Sequence, residues 1–166
     1  PRKDTTKYKD PPLQWIMSEK FDGYRALFNY DESGNGVFTS RSGNTFNAPD
    51  WFLRAMPPPA LLGSHILDGE LWAGRDNFQM MGVVRKKVPL EEEWMPISYQ
   101  VYDITNYQDT FVNRLQILQN IVSVCQTRWR PLRKSIGYPY QSLESPLVFA
   151  TQIQIKSMNQ MKSMYE

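Results

Sequence analysis

The chain has 166 residues, 41% of them hydrophobic and 22% charged, with a formal net charge of +2. That is the size of one domain with a real core, and the charge excludes a strongly basic tail, leaving any nucleic-acid contact to local patches. One cysteine, Cys125, excludes a disulfide framework and a cysteine zinc cluster, and no apolar run nears the roughly 20 residues of a membrane helix, so the reading is a soluble intracellular protein.

In chain order, residues 1–12 are polar and end in Pro11-Pro12, an arm leading into the fold. Leu13 to Ser18 and Tyr24 to Tyr30 read as strands. The turn cluster Asp31-Glu32-Ser33-Gly34-Asn35-Gly36 then returns the chain through a strand over Val37 to Arg41. Ala48-Pro49-Asp50 opens a short helix with proline in its first turn, which Pro57-Pro58-Pro59 ends. Ile66 to Trp72 reads as a strand broken at Gly69. Asp76 is a candidate cap for a helix through Phe78, Met80, Met81 and Val84. Ile97 to Ile104 is another strand. After Thr110, the residues Phe111, Leu115, Leu118, Ile121, Val122 and Cys125 share one helical face, which makes Cys125 a core residue. Residues 127–146 read as a basic, proline-containing loop, Leu147 to Ala150 as a strand, and Ser157 to Glu166 as a final helix. Strands with interspersed helices give an α+β arrangement of antiparallel sheets flanked by helices.

The chemistry concentrates in Ser18-Glu19-Lys20-Phe21-Asp22-Gly23-Tyr24-Arg25. A lysine at a strand end can be aimed by the sheet. To attack as a nucleophile the amine must be neutral, and burial or a nearby cation such as Arg25 favours that form. Gly23 permits a turn that a side chain would block. On this segment alone, an ordinary strand-turn-strand with surface charges fits equally well. Three further segments follow in order: Ser40-Arg41-Ser42-Gly43, Leu67-Asp68-Gly69-Glu70-Leu71-Trp72, and Tyr99-Gln100-Val101-Tyr102-Asp103-Ile104.

The four segments, in this order, resemble the nucleotidyltransferase superfamily of ATP-dependent DNA ligases, RNA ligases and mRNA capping enzymes. Those proteins carry a Lys-x-Asp-Gly-x-Arg motif, an Arg-x-Gly motif, an Asp-Gly-Glu motif and an aromatic-Asp motif. Arg41-Ser42-Gly43-Asn44, Asn47-Ala48-Pro49-Asp50-Trp51-Phe52 and Leu67-Asp68-Gly69-Glu70-Leu71-Trp72-Ala73-Gly74-Arg75 are most similar to compact ATP-dependent DNA ligases of bacteria and large DNA viruses. The resemblance covers residues 13–166 and implies an adenylation (nucleotidyltransferase) domain.

By that resemblance, Lys20 would attack the α-phosphate of ATP and hold AMP, with nicked double-stranded DNA as the acceptor. Glu19 would flank the adenine, and Arg25 would contact the ribose or phosphates. Asp22 would act later, at the 3′-hydroxyl end of the nick and its metal. Arg41 would hold the 5′-phosphate, Glu70 the ribose hydroxyl or a metal-bound water, and Tyr102 would stack on the adenine where the family often has phenylalanine. Mg²⁺ follows because expelling pyrophosphate needs its charge neutralised and a hard oxygen ligand such as Glu70 suits that ion.

Each assignment has a plainer counterpart: Glu70 as a strand acid, Tyr102 as core, Arg41 as a turn arginine. His65, the sole histidine, reads as structural or exposed, and the five tryptophans as packing. The basic patches Arg2-Lys3, Lys7-Tyr8-Lys9, Arg85-Lys86-Lys87 and Arg128-Trp129-Arg130 with Arg133-Lys134 read equally as solvated faces or DNA contacts. A fourth motif with a second glutamate and a fifth with α-phosphate lysines are absent from the sequence. The resemblance therefore implies a domain incomplete at its C-terminus and without the β-barrel (OB-fold) domain that usually follows. The expected partners are ATP and DNA, for a monomer working in repair, replication or recombination in the cytoplasm, the nucleus or a viral factory. The alternatives are a non-catalytic ligase-like binding module, or an RNA ligase or capping guanylyltransferase.

Overall fold

The computed structural model describes residues 15–164, so the N-terminal arm expected over 1–12 lies outside the described residues. Two compact units are present. In the smaller unit, β1 (Ile16–Ser18) pairs antiparallel with β8 (Gln152–Gln154), and α4 (Met158–Ser163) follows. Ser157 caps α4, its hydroxyl accepting from the Gln160 N–H at 3.1 Å.

The larger unit, residues 21–149, is built on a six-stranded sheet. Its strands are β2 (Tyr24–Tyr30), β3 (Gly36–Thr39), β4 (Thr45–Phe46), β5 (Leu67–Trp72), β6 (Ser98–Ile104) and β7 (Leu147–Phe149), in the spatial order β4-β3-β2-β5-β6-β7. The α+β class and the flanking helices are as the sequence implies. The pairings are antiparallel except β6 with β7, which runs parallel because α3 (Phe111–Ile136) makes the crossover between them.

Alternation decides which side chains enter the core. In β2, Ala26 and Phe28 are buried and their neighbours Arg25, Leu27 and Asn29 are only partly so. In β5, Leu67 and Leu71 pack inward. Phe38 of β3 packs edge-on against Tyr99 of β6 at 4.9 Å and against Phe52 of α1 (Asp50–Arg54) at 5.8 Å. Trp94 and Trp129 are fully buried in the same core, where truncating either to alanine would cost about 3–5 kcal/mol. Trp51 stacks on Tyr140 at 4.9 Å, and His65 meets Tyr107 edge-on at 5.3 Å, so both residues have the packing roles the sequence suggested.

Several boundaries differ from the sequence reading. A second short helix, α2 (Pro59–Leu62), starts inside the proline run instead of the run simply ending α1; Pro59 sits in its first turn, where a missing N–H is harmless. Residues Phe78–Arg85 form a 3-10 helix flanked by Asn77, and Asp76 is not a cap but a left-handed residue with φ 59°. The largest difference is in α3. It begins at Thr110, whose Oγ1 accepts from the Asn113 N–H, but it runs through Pro131 to Ile136 and ends at Gly137 with φ 86°. The stretch 127–136 is therefore helix, not loop. Trp129 continues the buried face one turn beyond Cys125, and its indole N–H donates to the Leu143 carbonyl at 2.7 Å. That tertiary anchor offsets the hydrogen bond lost at Pro131.

Candidate active site

The site is built where β2 and β5 lie side by side, with Arg25 opposite Glu70 and Leu27 opposite Asp68. Arg25 reaches diagonally to Asp68: Nε donates to Oδ1 at 3.0 Å and Nη2 to Oδ2 at 2.5 Å. Asp68 is 3% exposed, so the fork neutralises a carboxylate that has almost no solvent. The hydrogen bond to Asp68 in turn raises the Arg25 pKa above its ordinary value, against the opposing effect of burial. The arginine expected to face a nucleotide thus turns its Nε and Nη2 to a partner that the sequence reading left without a role.

The same two strands meet a second time at Gly23. Its backbone N–H lies near the Glu70 carboxylate and favours the charged form. A Cβ on Gly23 would run into the Leu71 carbonyl oxygen and sit 3.3 Å from Glu70 Cγ. The glycine is thus required for close approach to the facing strand. Glu70 is half-buried. Burial raises its carboxyl pKa, while the Gly23 N–H and the Arg25 charge act to lower it.

Gly69, between Asp68 and Glu70, is equally constrained: a Cβ there would strike the Gln100 carbonyl and lie 2.8 Å from the Tyr99 ring. Gly69 does not break β5, as the sequence suggested; it lies at a register shift. Asp68 pairs with Asp103 and Gly69 with Val101, which leaves Tyr102 as the extra residue of a bulge. The Tyr102 hydroxyl makes a long hydrogen bond to the Gly69 carbonyl, 3.4 Å. Burial, then the Asp68 and Glu70 charges, push its pKa up, while Arg25 and Arg41 oppose them. Tyr99 is buried, and its hydroxyl lies 2.8 Å from the Ala26 carbonyl and 3.1 Å from that of Leu67, pinning β2, β5 and β6 together from the core.

Arg25, Asp68, Glu70 and Tyr102 are therefore brought together. Asp22 is exposed and adds its charge to the field at Glu70. Arg41 is exposed in the turn between β3 and β4, which Gly43 closes with φ 83° and where the Ser40 N–H meets the Asn44 carbonyl at 2.8 Å. Glu19 and Lys20 directly follow β1 in the smaller unit, and both are exposed, so the burial invoked for Lys20 from sequence is not a feature of this structure. Asp68 was the residue missed. It stands two residues before Glu70 in the Asp-Gly-Glu segment, but its pairing with Arg25 becomes legible only once the register of β2 and β5 is known.

A profile of the family described as "ATP dependent DNA ligase domain" matches residues 5–166. The chain belongs to that family. A DNA ligase of Haemophilus influenzae is 29% identical over 113 residues, 68% of this chain and 38% of the relative. A solved structure from a structure-function study of Lig E DNA ligases, on DNA binding with a minimal scaffold, superposes with a TM-score of 0.63 at 24% identity, over 93% of this chain and 50% of its own. That likeness supports the nucleotidyltransferase fold. The chain thus spans 38% and 50% of the length of these two relatives.

A Mg²⁺ ion would meet hard oxygen donors here and no ready-made cage. Among the described residues no group of three or more His, Cys, Asp or Glu side chains gathers as a cage. Mg²⁺ does not need one: it keeps several waters and takes one or two carboxylates plus substrate phosphates. The half-buried Glu70 carboxylate fits that demand, and Asp68, clasped by Arg25, does not.

Proposed function

We propose that this chain is the adenylating part of an ATP-dependent DNA ligase that seals nicks in duplex DNA, with residues 13–166 in its nucleotidyltransferase domain. The observation that carries this reading is the joining of two motifs on adjacent strands. Arg25 grips Asp68, and Gly23 lies against Glu70, so the Gly-x-Arg end of the first motif is fixed against Asp-Gly-Glu.

In this reading Lys20 Nζ attacks the α-phosphorus of ATP. The Nζ–P bond forms as the bond to pyrophosphate breaks, and Nζ releases its proton. Glu19 and its backbone flank the adenine and Tyr102, the extra residue of the bulge, stacks on it. Glu70 takes the ribose hydroxyl or orients a metal-bound water. Arg25 fixes Asp68 with two donors, and its Nη1 would contact the ribose or phosphates of the nucleotide. Mg²⁺, held with the help of Glu70, would neutralise charge on the leaving pyrophosphate. Arg41, exposed on its turn, receives the 5′-phosphate of the nick, and Asp22 serves the 3′-hydroxyl side in the later sealing step.

ATP and nicked DNA are the partners in this proposal, with the protein acting as a monomer inside the cell. Among the described residues no helix is long and apolar enough to cross a membrane. The test is sealing of a 5′-labelled nicked duplex by the full-length protein with ATP. Sealing that disappears in Lys20→Ala is the expected result. Failure to seal, with no labelling by ATP, would overturn the enzyme reading, and labelling by GTP instead would point to a capping guanylyltransferase.

A further inference from the structure

Lys20 is exposed, so the aim of its amine rests on the backbone that carries it. The residue after it, Phe21, opens the larger unit, and the stretch from Phe21 to Tyr24 is fastened to the end of β5. The Phe21 ring meets the Trp72 indole at 4.9 Å, with the planes inclined by 61° in an edge-on contact. Gly23 lies so close to the strand that a Cβ would strike the Leu71 carbonyl, and Tyr24 pairs with Leu71. Trp72 follows Glu70 by two residues, so strand alternation puts both side chains on the face opposite the buried Leu71.

Trp72 is itself firmly held. It pairs with Ser98, whose hydroxyl donates to the Trp72 carbonyl at 3.4 Å. The Ser98 oxygen in turn accepts from Gln100 Nε2 at 3.0 Å, and Gln100 is buried on β6 opposite Glu70. A chain of hydrogen bonds thus runs from a buried amide to the backbone of Trp72, and the ring contact continues it to Phe21. Core packing does not account for that contact: both rings are only partly buried, and neither belongs to the hydrophobic core.

We infer that Trp72 is a positioning residue for adenylation: by holding the Phe21 ring it fixes the peptide on the C-terminal side of Lys20 and so aims the lysine amine. The inference rests on the reading of Lys20 as the nucleophile. Attack requires the nitrogen and phosphorus to be held at near-attack distance, and a displacement of about 1 Å can cost roughly 100-fold in rate. Trp72 acts through Phe21 and not on the nucleotide.

The test measures single-turnover transfer of AMP from ATP to the full-length protein over a range of ATP concentrations. Trp72→Leu keeps apolar bulk without the ring, and Phe21→Leu removes the partner. Each should lower the saturating rate roughly tenfold or more, with half-saturating ATP within about twofold of wild type, as when an interaction acts in the transition state. The double variant should be no slower than the slower single variant, and Trp72→Phe should recover most of the rate. Sealing of a nick that already carries AMP on its 5′-phosphate needs no attack by Lys20, so it should fall much less than adenylation. Wild-type adenylation in both single variants, additive losses in the double variant, or an equal fall in the two reactions, the sign of a purely structural role, would overturn the inference and leave Lys20 as the nucleophile. A wild-type protein that takes up no AMP would overturn the ligase reading and this inference with it.

Discussion

Arg25 and Asp68, 43 residues apart in sequence, form a two-point ion pair that ties β2 to β5. The two ends are unequal: the Arg25 side chain is 38% exposed and that of Asp68 only 5%. Removing the arginine strands a buried charge, whereas removing the aspartate leaves a cation that still reaches water. Arg25→Ala should therefore destabilise more than Asp68→Ala, about 3–5 kcal/mol at the upper end for a stranded buried charge, with the solvent-reachable Arg25 of the second variant costing less. Urea unfolding of both variants and of the double variant measures this. Equal losses would contradict this asymmetry, and additive ones in the double variant would show that the pair is not coupled.

Gly23 is predicted to tolerate no side chain. Gly23→Ala drives a Cβ into the Leu71 carbonyl and crowds Glu70, and overpacking of this kind costs about 1–3 kcal/mol. Because the strand contact also holds the Glu70 carboxylate, adenylation should fall further than stability does. A variant with wild-type thermal unfolding and wild-type adenylation would contradict the close approach.

Glu70 gives a pH prediction. Burial raises its folded-state pKa, so the folded state binds the proton more tightly than the unfolded chain does. Its contribution is favourable below the unfolded pKa and is lost as pH rises through the folded value. At neutral pH the buried charge therefore opposes folding. Glu70→Gln keeps an oxygen for the Gly23 N–H and should be at least as stable as wild type at pH 7, with that advantage fading in acid. Adenylation should nevertheless collapse. Calorimetry at several pH values checks the first part, and a Glu70→Gln protein less stable than wild type at pH 7 and not at acid pH would reverse the sign.

Tyr99→Phe removes only the hydroxyl that meets the Ala26 and Leu67 carbonyls. The expected loss is about 1–2 kcal/mol, the range for one buried neutral hydrogen bond and its partner left unpaired. Chemical denaturation measures it, and a neutral effect would mean that the two carbonyls are satisfied elsewhere.

Cys125 should be chemically silent. It is 2% exposed on the inner face of α3, and burial pushes its thiol up to about 11. A thiol reagent at pH 8 should label it only after denaturant is added. Rapid labelling of the native protein would show that α3 opens readily.

How far the sequence carried the structure depends on whether the signal was local. Tyr24–Tyr30 and the helix that follows Thr110 were readable because strand and helix periodicity act over a few residues. The helical stretch 127–136 was hidden by Pro131 and by its charge. It is held by Trp129 reaching Leu143, a contact no local pattern reveals. The motif residues Glu70 and Tyr102 were visible as types in order. The partner of Arg25 was not, because Asp68 acquires it only through strand register, and neither was the bulge at Tyr102.

The central claim is that Lys20 carries AMP. Incubation of the full-length protein with ATP and Mg²⁺, followed by mass-spectrometric mapping of the modified peptide, tests it most directly. The account predicts an acid-labile, hydroxylamine-sensitive AMP on Lys20, absent in Lys20→Arg. An AMP on another residue, or none on a folded full-length protein, would contradict it.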